Sequence, residues 1–153
     1  MLWVEQLEQL AGQAEVERAA FQSVAVAALQ MLDRVRYRQR RVAEAALSLA
    51  QRQKLQHMLD GIDATAGAIG QLLNPTSIGM LRKDVLTEAA SEPSWWFALC
   101  EALHVLEEGA AWIESIAAGQ PRGSATRALS RILARLLHQH FHALLAEAEH
   151  WMD

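Results

Sequence analysis

From Ala14 to Asp60 the chain contains neither glycine nor proline, and no other feature limits its fold as much. A run of that length without a helix breaker has few places to turn. Apolar residues recur through it at Phe21, Val24, Ala28, Met31, Val35, Val42, Ala45 and Leu49, which is the spacing of one helical face. Unbroken, the run makes a rod of roughly 70 Å at 1.5 Å per residue, long for a chain of 153 residues. The expectation is one unusually long helix, either kinked near the polar run Arg34–Arg41 or covered along its length by a partner chain. Val24–Leu32 is apolar nearly all round and calls for neighbours on several sides.

A shorter helix is expected from Leu2 to about Leu10, ending near Gly12. Beyond Gly61 the helical pattern resumes at Ile62, Ala66, Ile69 and Leu73. Asn74-Pro75 stops it, because a residue before proline disfavours helix and proline has no N–H. A short helix around Met80–Ala90 follows. Ser91-Glu92-Pro93 opens the next helix, which runs to about Ala118. Gly119–Gly123 reads as a loop, and Ser124 as the cap of a last helix reaching about Trp151. Ala, Leu, Glu, Gln and Arg dominate the composition, and these are good helix formers. The fold class expected is all-α: a helical bundle of four main helices plus one or two short ones, in a single domain over residues 1–153.

Cys100 is the only cysteine, which excludes an internal disulfide and a Cys-rich zinc site. It follows no activating pattern and is expected to be a buried thiol in a reducing compartment. The amino terminus, MLWVEQLEQL, lacks the basic start and long apolar core of a secretory signal. The most apolar stretch, Ala19–Leu32, is interrupted by Gln22, Ser23 and Gln30 and is too short to cross a bilayer. A cytoplasmic protein with no membrane partner and no cofactor is the resulting expectation.

Charge is segregated along the chain, although the net charge is only −4. Arg34, Arg36, Arg38, Arg40, Arg41, Arg52 and Lys54 face Glu44 alone, whereas Asp84–Glu114 carries acids and no Lys or Arg. Arg122, Arg127, Arg131 and Arg135 then follow without an acid among them. Lys54 and Lys83 are the only lysines, so arginine, the side chain suited to bidentate contacts with phosphate or carboxylate, supplies almost all the positive charge. Arg34, Arg38, Arg41 and Arg52 lie along one flank of the long seam, and Arg127, Arg131 and Arg135 form a ladder at four-residue spacing. Of these, Arg34, Arg38, Arg41, Arg127, Arg131 and Arg135 are the candidate contacts to a nucleic-acid backbone. The competing reading is that the acidic Asp84–Glu114 segment covers one stripe with ion pairs.

Two constellations raise the question of metal. Glu101-x-x-His104 and Glu147-x-x-His150 have the spacing that di-iron bundles use twice. On a helical wheel Glu101 and His104 fall opposite the arc formed by Leu99, Ala102, Leu106, Ile113 and Ile116, and His150 projects away from its own seam, so metal is the disfavoured alternative. His138 and His142 share a face at i and i+4 and read more simply as a solvated surface. His140 reads as a histidine at the core edge.

Arg131-x6-His138 and Arg135-x4-His140 fit an Arg-x4–6-His pattern. In that short pattern, and in being all-helical, the chain resembles HEPN ribonucleases. The resemblance implies metal-independent RNA cleavage, with Arg131 or Arg135 stabilising charge on the phosphate and His138 or His140 moving a proton. No phosphate-cradling glycine loop and no Ser/His/Asp or Cys/His arrangement is present.

Five tryptophans are many for this length. Trp95, Trp96 and Phe97 are adjacent and cannot all face one way on a helix, and Trp112 lies at the margin of its apolar arc. These four are the candidate interface with a protein partner. The function expected from sequence is therefore non-enzymatic: a binding or assembly subunit, a homo-oligomer or part of a larger assembly, with nucleic-acid contacts through the arginines. The ribonuclease and the Glu-x-x-His metal bundle are the alternatives.

Overall fold

The computed structural model describes residues 2–13, 18–44, 48–79 and 95–152, and within them the chain is helical, with short turns and no strand. The helices are α1 (Leu2–Gln13), α2 (Arg18–Glu44), α3 (Leu49–Gly70), α4 (Pro75–Gly79), α5 (Trp95–Gly119) and α6 (Ala125–Met152). No described helix is long and apolar enough to cross a membrane.

The long uninterrupted helix expected from Ala14 to Asp60 is not what forms. Ser48 has extended backbone angles, and its Oγ accepts the N–H of Gln51 at 3.1 Å, so α3 starts there as a new helix. A serine oxygen in this position satisfies an N–H that the first turn of a helix leaves free. Gly61, read above as a boundary, lies inside α3. An interior glycine costs a helix only about 1 kcal/mol relative to alanine, and the burial of Leu59, Ile62, Thr65, Ala66 and Ile69 outweighs that cost. Leu49, placed on the buried seam by periodicity, is 71% exposed. Arg52 likewise belongs to α3 and does not continue the α2 flank. The expected Met80–Ala90 helix lies outside the described residues.

Two side-chain contacts fix how α2 and α3 pair. Arg36 Nε donates to Asp63 Oδ1 at 2.6 Å, while its Nη1 reaches Asp33 at 2.9 Å. Near the other end, Gln22 Nε2 donates to the Leu72 carbonyl at 2.7 Å and Gln22 Oε1 accepts the Asn74 N–H at 2.9 Å. The helices are therefore antiparallel. Asn74 in turn caps α4, its Oδ1 accepting the Ser77 N–H at 2.8 Å, with Pro75 at the first helical position, where a missing N–H costs nothing.

α5 and α6 form a second antiparallel pair, joined through residues 120–124. The two pairs meet chiefly along α2 and α5, with α3 touching α6 on the other side. Thr65 opposite His140 and Lys54 opposite Glu147 make α3 and α6 antiparallel. It follows that α3 ends at the end of the molecule opposite to the one where α5 begins. α1 lies against α6.

The core runs between the helices through Phe21, Leu32, Val35, Ile62, Leu106, Ile113, Leu129, Leu133 and Leu137, each at most 1% exposed. Burying one such side chain contributes roughly 1.5–3 kcal/mol. α2 and α5 approach closely at Gly109, where a Cβ would stand 2.5 Å from Met31 Sδ. A Cβ at this position would require the Met31 side chain to shift.

Candidate nucleic-acid interface

The α5–α6 turn and the start of α6 gather four arginines, Arg122, Arg127, Arg131 and Arg135. Gly123 takes a positive φ of 80°, open to glycine without strain, and brings the chain round into α6. Ser124 Oγ accepts the Arg127 N–H at 3.1 Å and caps the helix, as its sequence position predicts. Arg127, Arg131 and Arg135 then project from successive turns. Arg127 is half-buried and its Nη1 donates to the Gln120 carbonyl at 3.3 Å, which holds the guanidinium against the turn. Arg131 and Arg135 are exposed.

Two grooves meet on this surface. One, of about 450 Å³, runs between α5 and α6 over Ala117, Ala118 and Ala134, and its polar lining is Glu114, Arg127, Arg131, Arg135 and His138. The small side chains of its floor leave the depression that the arginines border. The other, of about 410 Å³, lies at the turn between Leu10 of α1 and Arg122, Ser124, Arg127 and Arg131. Arg127 and Arg131 border both grooves. Among the described residues Glu114 is the one carboxylate lining either, and its Oε1 lies 3.2 Å from His138 Nε2 rather than on an arginine. The acidic α5 thus runs beside the arginine ladder but, among the described contacts, does not neutralise it. The partial positive charge of the α6 amino terminus adds to the field there.

Of the other predicted contacts, only Arg34 and Trp112 have described side chains, and neither lines this site. Arg34 is exposed on α2 and lines neither groove. The side chains of Arg38 and Arg41 lie outside the described residues, as do those of Trp95, Trp96 and Phe97. Trp112 is 49% exposed on α5. Arg122 and Glu114 belong to the site but stood outside the candidates drawn from helical spacing. Arg122 sits in the turn, where periodicity says nothing, though its position just before a capped helix is a usable signal.

The two Arg–His pairs part company. His138 shares the groove with Arg131 and Arg135, its ring stacked at 6.2 Å on His142. His140 faces α3 instead: its Nε2 lies 3.0 Å from Thr65 Oγ1, which donates to the Gly61 carbonyl at 3.1 Å. With the Thr65 proton on the Gly61 carbonyl, the tautomer that completes the contact is the one carrying its proton on Nε2. Burial holds the His140 pKa below its ordinary value. Arg135 and His140 are therefore not brought together, because five residues along a helix turn two side chains well apart.

The Glu-x-x-His motifs do not converge. His104 pairs with Glu108 at 3.2 Å in the open, Glu147 meets Lys54 at 3.4 Å, and His150 is exposed. Among the described residues no three His, Cys, Asp or Glu stand close enough to hold a metal ion. Glu101 corrects the helical wheel: it is half-buried, with Oε2 shielded from solvent. A helix packed on both α2 and α6 buries a wider arc than a one-sided wheel assumes. Cys100 errs the other way and is exposed rather than buried.

No protein-family model matches the chain, and no curated protein or solved structure is similar to it.

Proposed function

We propose that this chain works by binding rather than by chemistry, as a bundle of four main helices that holds a nucleic-acid backbone against the amino-terminal half of α6. The observation that carries this reading is the convergence of Arg122, Arg127, Arg131 and Arg135 on two joined grooves whose one carboxylate among the described residues is turned to a histidine. Guanidinium groups match phosphate oxygens in bidentate geometry, and contacts of this kind read the backbone rather than the bases. The test is fluorescence anisotropy with labelled single-stranded RNA and duplex DNA across a salt series. Arg131→Ala/Arg135→Ala is expected to weaken binding to all sequences alike and to lower the salt slope by about 0.7 for each single-strand phosphate no longer neutralised. No binding at low salt, or binding indifferent to the double substitution, sinks the reading.

Association with protein is the complementary half of this proposal. Trp112, half exposed on α5, supplies the large aromatic that binding surfaces favour. Native mass spectrometry of the untagged protein is expected to show a dimer or larger species that Trp112→Ala shifts toward monomer. A monomer at all concentrations removes this half.

A second reading, metal-independent RNA cleavage of the HEPN kind, is favoured by one observation: Arg131, Arg135 and His138 border the same groove. It predicts cleavage in EDTA that His138→Ala abolishes without loss of helicity. Intact RNA after long incubation rules it out.

A further inference from the structure

The two grooves differ in a way that a uniform backbone contact does not use. The α5–α6 groove has Arg127, Arg131 and Arg135 together with the carboxylate of Glu114 in its lining. The groove at the turn has Arg122, Arg127 and Arg131, no carboxylate among the described residues of its lining, and Ser124 at the start of α6. Three guanidinium groups and the positive end of a helix dipole exceed what one phosphodiester, with a single negative charge, requires. A phosphate monoester carries roughly −1.5 to −2 at neutral pH and offers three terminal oxygens. Arg127 is already held by the Gln120 carbonyl, so part of the ordering cost of binding is met before a ligand arrives.

Resting on the nucleic-acid reading above, we propose that the groove formed by Arg122, Arg127 and Arg131 takes the terminal phosphate monoester of a nucleic-acid strand, the following backbone lying along Arg131 and Arg135. Arg131 borders both grooves and bridges the terminal group and the next phosphate. Arg122 reaches only the turn and Arg135 only the α5–α6 groove. Their substitution therefore separates recognition of the end from recognition of the backbone. Both lie on the surface, so replacing them leaves the core intact.

The experiment is equilibrium binding of one RNA oligonucleotide bearing a 5′-phosphate, a 3′-phosphate or hydroxyls at both ends, at fixed salt. Wild type, Arg122→Ala, Arg127→Lys and Arg135→Ala are compared, with circular dichroism to confirm helicity. A phosphorylated end is expected to raise affinity about tenfold, in keeping with charge-assisted bidentate contacts. Arg122→Ala and Arg127→Lys should remove that preference, while Arg135→Ala should weaken all three oligonucleotides in parallel. Equal affinity for the three overturns terminal-phosphate recognition and leaves backbone binding standing. A preference that survives both Arg122→Ala and Arg127→Lys overturns the assignment to this groove. Failure to bind any of the three removes the nucleic-acid reading with it.

Discussion

His140 on α6 and Thr65 on α3, 75 residues apart, are joined at 3.0 Å inside the molecule. The imidazole is kept neutral there, because burial penalises its charged form. As pH falls through about 6.5, the ordinary histidine value, the unfolded chain takes up a proton at this position that the folded chain refuses. Stability therefore declines on acidification below that value and levels off once the folded His140 is protonated as well. Urea denaturation across this pH range should show the slope in wild type and a shallower one in His140→Gln. Parallel profiles would mean that other groups set the acid sensitivity.

Gly109 and Met31 should be coupled. Alanine at 109 gains about 1 kcal/mol of helix propensity, but its Cβ would stand 2.5 Å from Met31 Sδ. Gly109→Ala is therefore expected to be less favourable in wild type than in a Met31→Ala background, with a coupling of about 1 kcal/mol or more by double-mutant cycle. Additive effects would show that methionine moves aside freely.

Two glutamines of α2 predict opposite outcomes. Gln22 uses both amide atoms to hold Leu72 and Asn74, so Gln22→Leu should cost about 1–3 kcal/mol by orphaning them. Gln39 is 1% exposed, and among the described residues neither of its amide atoms has a hydrogen-bond partner. Gln39→Leu removes that desolvation penalty and should stabilise by about 1 kcal/mol. Thermal denaturation of both variants decides, and a shift in the same direction would contradict this account.

Cys100 is exposed, so a thiol reagent should label the native protein stoichiometrically at nearly the rate seen in denaturant. Strong protection in the native state would place the thiol inside a contact.

The all-helical class was legible because helical periodicity is a local property, and Phe21, Val24, Ala28 and Val35 do face the core. The break before α3 was not. Ser48 lies among alanines and leucines that continue the periodic pattern, and a lone serine is a weak stop signal without glycine or proline. Gly61 misled for the complementary reason: tertiary burial on its helix overrides a local preference worth about 1 kcal/mol. The arginine ladder could be read from spacing, but Arg122 at its head could not. Neither could the partner of His140, since nothing local in the sequence connects it to Thr65. Glu101 was misplaced because a helical wheel assumes how many neighbours a helix has, and Cys100 because the lack of an activating pattern says nothing of exposure.

The opposed positions of the end of α3 and the start of α5 also impose an order on folding. Each antiparallel pair closes over a short connection, whose entropy cost is small. The α2–α5 seam joins residues far apart in sequence and forms only after the chain has travelled back along the molecule's length. Two quickly formed hairpins followed by their slower docking is the kinetic signature this topology carries, with Met31 against Gly109 among the last contacts to settle.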